Sequence, residues 1–218
     1  MRTILCYGDS HVWGFVPQSF DEKLRLPSRI PKNKRWTGIL QHALGEQYNV
    51  IEEGLNGRTT NLEEIIPGRP FRNGLKYLPL ILESHFPIDL IIFNLGTNDI
   101  KTQFARSAQD IAEGMRELVK YVLTSDKGHK EQAPKVLVMV PPSISNVALS
   151  QDSLLDQNSL HSSNGLSEAY KHLGCECFDS SLVIKVSDID GVHFDEHSAR
   201  LLGGAVAKKV QKIFQKEV

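Results

Sequence analysis

Five apolar runs of strand length, spread along the whole chain and separated by segments of helical periodicity, restrict the fold more than any other feature. They are TILCY (3–7), NVIEE (49–53), IDLIIFNL (88–95), KVLVMV (135–140) and CECFD (175–179). Between them lie a helical stretch near 35–47, an apolar helix near 74–84 and a strongly amphipathic segment in which Ile111, Met115, Leu118 and Val122 recur at steps of 4, 3 and 4. Ser107 with Asp110 forms a capping-box pattern at the start of that segment. A helix near 157–173 follows, and a last one runs from about 196, with Ala199, Leu202, Val206, Val210 and Ile213 on one face and Asp195 suited to its N-cap. Pro141 and Pro142 close the fourth run, because proline cannot supply the ladder N–H. Strands alternating with helices build a mainly parallel sheet covered on both faces. The expectation is an α/β protein: a three-layer α/β/α sandwich with a five-stranded parallel sheet of flavodoxin-like type, in a single domain over 1–218.

Composition narrows the partners. Acidic residues number 26 and basic ones 25, for a formal charge of −1. No basic stripe offers a surface to nucleic acid or to an anionic membrane. No apolar run approaches the ~20 residues of a membrane span. The first strand begins at once, with no signal-peptide pattern before it, so the expected address is cytoplasmic. Cys6, Cys175 and Cys177 are an odd set at strand spacing and read as packing residues. Three irregular stretches, 15–34, 61–74 and 142–157, are longer than ordinary connections require. They are expected to wall a pocket and to carry homo-oligomer contacts.

Four polar clusters sit where the chemistry of such a sheet belongs. Gly8-Asp9-Ser10-His11, the Gly54–Thr59 segment GLNGRT and Gly96-Thr97-Asn98-Asp99 each follow one of the first three apolar runs. Asp190-Gly191-Val192-His193 follows the last run and precedes the last helix. Parallel strands share one carboxyl edge, and ligands bind there. Ester cleavage without a metal needs a nucleophile, a base held by an orienting group, and donors for the developing oxyanion. Ser10 supplies a hydroxyl at a sharp strand-to-helix turn, and His193 is able to take its proton. Asp190, three residues earlier on a glycine-containing loop, can hold the far ring nitrogen. The Asn98 amide and the N–H groups of Gly57 and Ser10 are available as donors. Taken singly, each residue has a plainer reading as a turn, cap or backbone relief; their joint occurrence carries the argument. Asp9 reads as a structural acceptor.

These clusters resemble the SGNH, or GDSL-type, hydrolase family, whose blocks run in the same chain order from Leu5 to the final helix. The stretches TILCYGDSHVWGFVP and EEGLNGRTTN are similar to a cytosolic arylesterase and acyltransferase branch of it. The resemblance implies Ser10 as nucleophile, His193 as base, Asp190 as its orienter, and Ser10 N–H, Gly57 N–H and the Asn98 side chain as oxyanion donors. It implies an oligomer, a small-molecule ester substrate and no cofactor. The usual Leu after the nucleophile is His11 here, a departure that bears on acyl preference. The expected pocket wall comprises His11, Trp13, Thr97 and Val192; of Trp13 and Phe15, lining is assigned to Trp13 only. A small acyl ester hydrolysed through an acyl-enzyme, with acyl transfer to a second alcohol, fits this set. Sugar O-acetyl esters, thioesters and lysophospholipids suit the same chemistry.

Two rival readings have weaker footing. HFDEH (193–197) matches H-x-x-E-H, which would make His193 and His197 metal ligands on one helix. Asp195 as N-cap places His193 ahead of that helix, and the metal reading leaves Ser10, Gly57 and Asn98 unused. A non-catalytic, flavodoxin-like ligand binder would cradle phosphate in the first loop, where Asp9 would repel it.

Overall fold

Successive side chains of a strand face opposite sides, and here both sides are apolar. The computed structural model describes residues 1–19 and 27–215. Its strands are β1 (Arg2–Gly8), β2 (Tyr48–Gly54), β3 (Leu90–Asn94), β4 (Lys135–Val140) and β5 (Glu176–Asp179). All neighbours pair in parallel, in the order β2-β1-β3-β4-β5. The expected five-stranded parallel sheet is therefore present.

The helices are α1 (Ser10–Trp13), α2 (Trp36–Leu44), α3 (Gly74–His85), α4 (Ala108–Leu123), α5 (Asn146–Gln151), α6 (Gln157–Ala169) and α7 (Glu196–Gln215). Ile4, Cys6, Leu90, Ile92 and Leu137 pack on one side with Trp36 and Leu40 of α2 and Leu202, Val206 and Val210 of α7. The alternate residues Leu5, Tyr7, Ile91, Phe93 and Val138 face Leu78 of α3, Met115 and Leu118 of α4 and Leu166 of α6. The helical stripe read from the sequence is thus the buried face of α4, and each such side chain contributes about 1.5–3 kcal/mol on burial. The capping box also forms: Ser107 and Asp110 satisfy each other's backbone N–H. No helix among the described residues is long and apolar enough to cross a membrane.

One local feature lies outside the sequence reading. The stretch 142–157 is not wholly irregular, because α5 forms within it, capped by Ser145, which accepts the Val147 N–H at 3.3 Å. Its six residues bury only Ala148, too little for a periodic signal. Of the stretch 15–34, residues 20–26 lie outside the described residues.

Register fixes the carboxyl edge. Gly8 pairs with both Gly54 and Asn94, so β1, β2 and β3 end level. The sheet order reverses between β1 and β3, where doubly wound sheets open a crevice. The turn of α1 lies directly over β2: a Cβ on Gly54 would stand 2.2 Å from Trp13 N and 2.6 Å from Trp13 Cα. Backbone atoms cannot move aside cheaply, so Gly54→Ala is expected to destabilise the fold by about 1–3 kcal/mol in urea unfolding. Around Gly204, within α7, a Cβ would meet nothing within 4 Å. Gly204→Ala should instead raise stability by about 0.5–1 kcal/mol.

Candidate active site

Asp9 shapes the first loop. Its carboxylate accepts the His11 N–H at 2.9 Å and its carbonyl accepts the Trp13 N–H at 2.9 Å, which caps α1 and lifts Ser10 at the strand end. The loop before α7 is shaped by Asp190. Its Oδ1 accepts the N–H groups of Val192 at 3.0 Å and His193 at 2.9 Å, and its Oδ2 lies 2.8 Å from His193 Nδ1. Gly191 turns this loop at φ 70°, and a Cβ there would sit 2.3 Å from Ala148 N of α5. The unforeseen α5 thus backs the loop, and Ser145 N–H donates to the Gly191 carbonyl at 2.9 Å.

The two loops meet. His193 Nε2 lies 2.9 Å from Ser10 Oγ across 183 residues of sequence. A carboxylate only accepts hydrogen bonds, so Nδ1 carries the ring proton toward Asp190 and Nε2 accepts the Ser10 hydroxyl. Burial pulls the Asp190 carboxyl up, but the hydrogen bonds from His193 and the two N–H groups outweigh it and hold it below the usual carboxylate range. Phe15 stacks on the His193 ring at 4.4 Å and 28°, which fixes its plane. A hydroxyl, an imidazole and an ionised carboxylate in this order can deprotonate the hydroxyl as it attacks a carbonyl.

Candidate donors line the same cavity as the hydroxyl. Among the described residues the N–H groups of Ser10 and Gly57 donate to nothing. Asn98 Nδ2 donates to Asp9 Oδ2 at 3.3 Å and to the Arg58 carbonyl at 3.2 Å. Asp9 is thus the structural acceptor expected, and it aims the amide. Asp99, the next residue, is fully buried and joins the loops after β2 and β3. It accepts the Thr60 N–H at 3.0 and 3.1 Å, the Thr60 hydroxyl at 2.5 Å and Arg106 Nη1 at 3.0 Å. Sequence reasoning noted Asp99 only as part of a turn cluster; its partners are too far along the chain to be read from spacing.

A cavity of about 360 Å³ opens over this edge, within the range for small-molecule sites. Ser10, Gly57, Thr97, Asn98, Asp190, Val192 and His193 all reach it. The three long stretches also contribute, through Phe15 and Gln18, through Arg69, and through Ile144, Gln151, Asp152 and Leu155. Two expected wall residues do not line it. Trp13 turns away, with the Arg29 guanidinium 5.0 Å over its ring, and Phe15 takes the place assigned to it. His11 lies behind the wall, 3 % exposed and stacked on Phe194 at 4.9 Å. The residues of the H-x-x-E-H pattern are separated: α7 begins at Glu196, Asp195 caps it by accepting the Ser198 N–H at 2.8 Å, and His193 precedes it.

The sequence pattern of the GDSL-like Lipase/Acylhydrolase family matches residues 6–201. The chain belongs to that family. It is 40% identical to the aryl esterase of M. smegmatis, over 97% of this chain and 99% of that one, with a TM-score of 0.87. It is 39% identical to Est24, a carbohydrate acetylesterase from Sinorhizobium meliloti, over 98% and 100% of the two chains, with a TM-score of 0.88. A lipase/acylhydrolase from Enterococcus faecalis, 18% identical with a TM-score of 0.64 over 97% and 96% of the chains, shares the fold. No curated protein matches the chain.

In this GDSL-like hydrolase His11 ties the two site loops together. Its Nε2 lies 3.0 Å from the Val192 carbonyl, which can only accept, so the ring presents Nε2–H there. Burial pushes its pKa below the ordinary imidazole value despite the pull of Asp9, which keeps the ring neutral at pH 7. His11→Leu leaves that carbonyl unpaired and frees the segment between Asp190 and His193. Acylhydrolase kcat is expected to fall about tenfold with KM little changed, because small misplacements of reacting groups are costly. His11→Gln, which can reach the same carbonyl, should recover most of the loss in steady-state assays.

Burial raises the Asp99 carboxyl from 3.8 to about 6, against the hydrogen bonds of Thr60 and the charge of Arg106. The folded chain therefore holds this proton where the unfolded chain has released it. The stability Asp99 contributes is complete below 3.8 and is lost as pH rises to about 6. Carbon-detected NMR titration should find a carboxyl midpoint near 6 for Asp99, absent from the spectrum of Asp99→Asn.

Proposed function

We propose that this GDSL-like hydrolase is a serine esterase that cleaves small acyl esters through an acyl-enzyme. The observation that carries the reading is the unbroken line from Asp190 through His193 to Ser10, at 2.8 and 2.9 Å, beside two N–H groups with no described partner. Ser10 Oγ attacks the ester carbonyl while His193 Nε2 takes its proton. The resulting oxyanion is held by the N–H groups of Ser10 and Gly57 and by the Asn98 amide, each such donor being worth about 10²–10³ in turnover. The imidazolium, stabilised by Asp190, then protonates the departing alcohol. Water, deprotonated by His193, attacks the acyl-enzyme, and the imidazolium returns that proton to Ser10 Oγ as the acyl bond breaks and the acid leaves; a second alcohol in place of water gives acyl transfer.

The small cavity supports a short acyl group. The aryl and carbohydrate acetyl esters named for the similar structures supply the substrates to try first. Ser10→Ala should lower phenyl acetate turnover by at least about 10⁴-fold, with the circular dichroism spectrum unchanged. Phenylmethanesulfonyl fluoride should label the Ser10 peptide of the native protein in a mass spectrum. Turnover retained by Ser10→Ala would refute the reading.

A further inference from the structure

The loop that carries Gly57 is crowded with arginines that lack carboxylate partners. Arg58 is 5 % exposed; its Nη1 donates to the carbonyls of Gly8 and Glu53, its guanidinium lies 4.0 Å over the Tyr7 ring, and its Nε is buried without a partner. Arg72 Nε donates to the Asn56 carbonyl at 2.9 Å and its Nη1 to the Pro70 carbonyl. Arg69, unlike those two, lines the cavity. Among the described residues its guanidinium donates to nothing, and no carboxylate stands within ion-pairing distance of any of the three. Arg69 Nη2 stands 2.6 Å from where a Cβ of Gly57 would be, so it overhangs a proposed oxyanion donor. Burial lowers the pKa of Arg58 and Arg72, with Arg69 adding to the effect on Arg72, while Glu53 and Asp9 near Arg58 and Glu64 near Arg72 pull the other way. Arg69, the one of the three that lines the cavity, is left without an ion-pair partner among the described residues.

The other charges of the wall are committed. Lys101 Nζ pairs at 3.0 Å with Glu64, whose second oxygen accepts from Gln103. Asp190 holds His193. Asp152 stands in the wall with its Oδ1 accepting the Leu154 N–H at 2.9 Å, and it would repel an anion placed beside it. Arg69 is thus the cavity cation left to meet a ligand.

We propose that the ester accepted here carries a carboxylate, seated against Arg69 at the Gly57 end of the cavity. This rests on the esterase reading and extends it to a substrate class. The carboxylate belongs either to the alcohol portion or to the acyl portion of the ester, and an arginine fork is able to bind it through two parallel hydrogen bonds in either case.

Two matched pairs distinguish the sources: 3-carboxyphenyl acetate against 3-carbamoylphenyl acetate, and phenyl hydrogen glutarate against its amide, each corrected for spontaneous hydrolysis. The native protein should show a kcat/KM ratio of about tenfold or more in favour of the carboxylate in one pair, as charge-assisted hydrogen bonds give. Arg69→Gln should bring that ratio close to one, Arg69→Lys should keep part of it, and Asp152→Asn should raise it. A ratio near one in both pairs for the native protein, or one that survives Arg69→Gln, overturns the proposal and leaves the esterase reading standing. Calorimetry with benzoate and glutarate on Ser10→Ala separates the two ideas in the other direction. Binding that Arg69→Gln removes, in a protein whose native form hydrolyses none of the four esters, would sink the esterase reading and keep the anion site. No binding of either carboxylate would count against the anion site.

Discussion

The level ending of three parallel strands governs this protein. Gly8 of β1 pairs with Gly54 of β2 and is also in register with Asn94 of β3. The residues that follow each strand therefore emerge at one height, and Ser10, Gly57 and Asn98 come together although 88 residues of sequence separate the first from the last. A slip of one residue in β1 would exchange its two buried faces. Leu5 and Tyr7 would then leave one core for the other, and Ser10 would leave the edge. Register is consequently secured by both apolar layers at once, and the placement of the site follows from the packing of the sheet.

The edge is then fastened by carboxylates. Asp9 bonds the first loop to Asn98, Asp99 bonds the third to Thr60 of the second, and Asp190 folds the fourth onto its own histidine. Each is held by more than one donor, and at Asp190 the donors outweigh burial, whereas at Asp99 burial outweighs them. His11 completes the set by reaching from the first loop to the Val192 carbonyl of the fourth. The loops are bonded to one another as well as to the sheet, so the hydroxyl–imidazole contact does not depend on one loop alone.

Much of this was legible in the sequence because it is periodic or local. The five strands and the larger helices follow from apolar spacing, and the capping box at Ser107 and Asp110 and the Asp195 cap follow from residue type at fixed offset. The four polar clusters were legible because parallel topology tells where strand ends gather. Orientation was not legible. Trp13 and Phe15 lie two residues apart, and only a turn ending at Gly14, with φ 84°, decides that Phe15 stacks on His193 while Trp13 faces Arg29. α5 escaped because its six residues bury only Ala148, and the role of His11 escaped because its partner lies 181 residues away.

Under the proposed reaction, the Asn98 amide would meet the developing charge. Its two hydrogen bonds, at 3.2 and 3.3 Å, are longer than the usual ~2.9–3.0 Å for N–H donors. They orient the group, and both of its N–H donors are engaged. An oxygen gaining negative charge beside the Ser10 and Gly57 N–H groups would draw on the same amide, and the bond surrendered in exchange would be a long one. Asp9 and the Arg58 carbonyl orient the amide before any ligand arrives. In the proposed reaction the cost is therefore the exchange of one hydrogen bond rather than the reorientation of the group, and a pre-oriented donor is the condition under which electrostatic stabilisation is most effective.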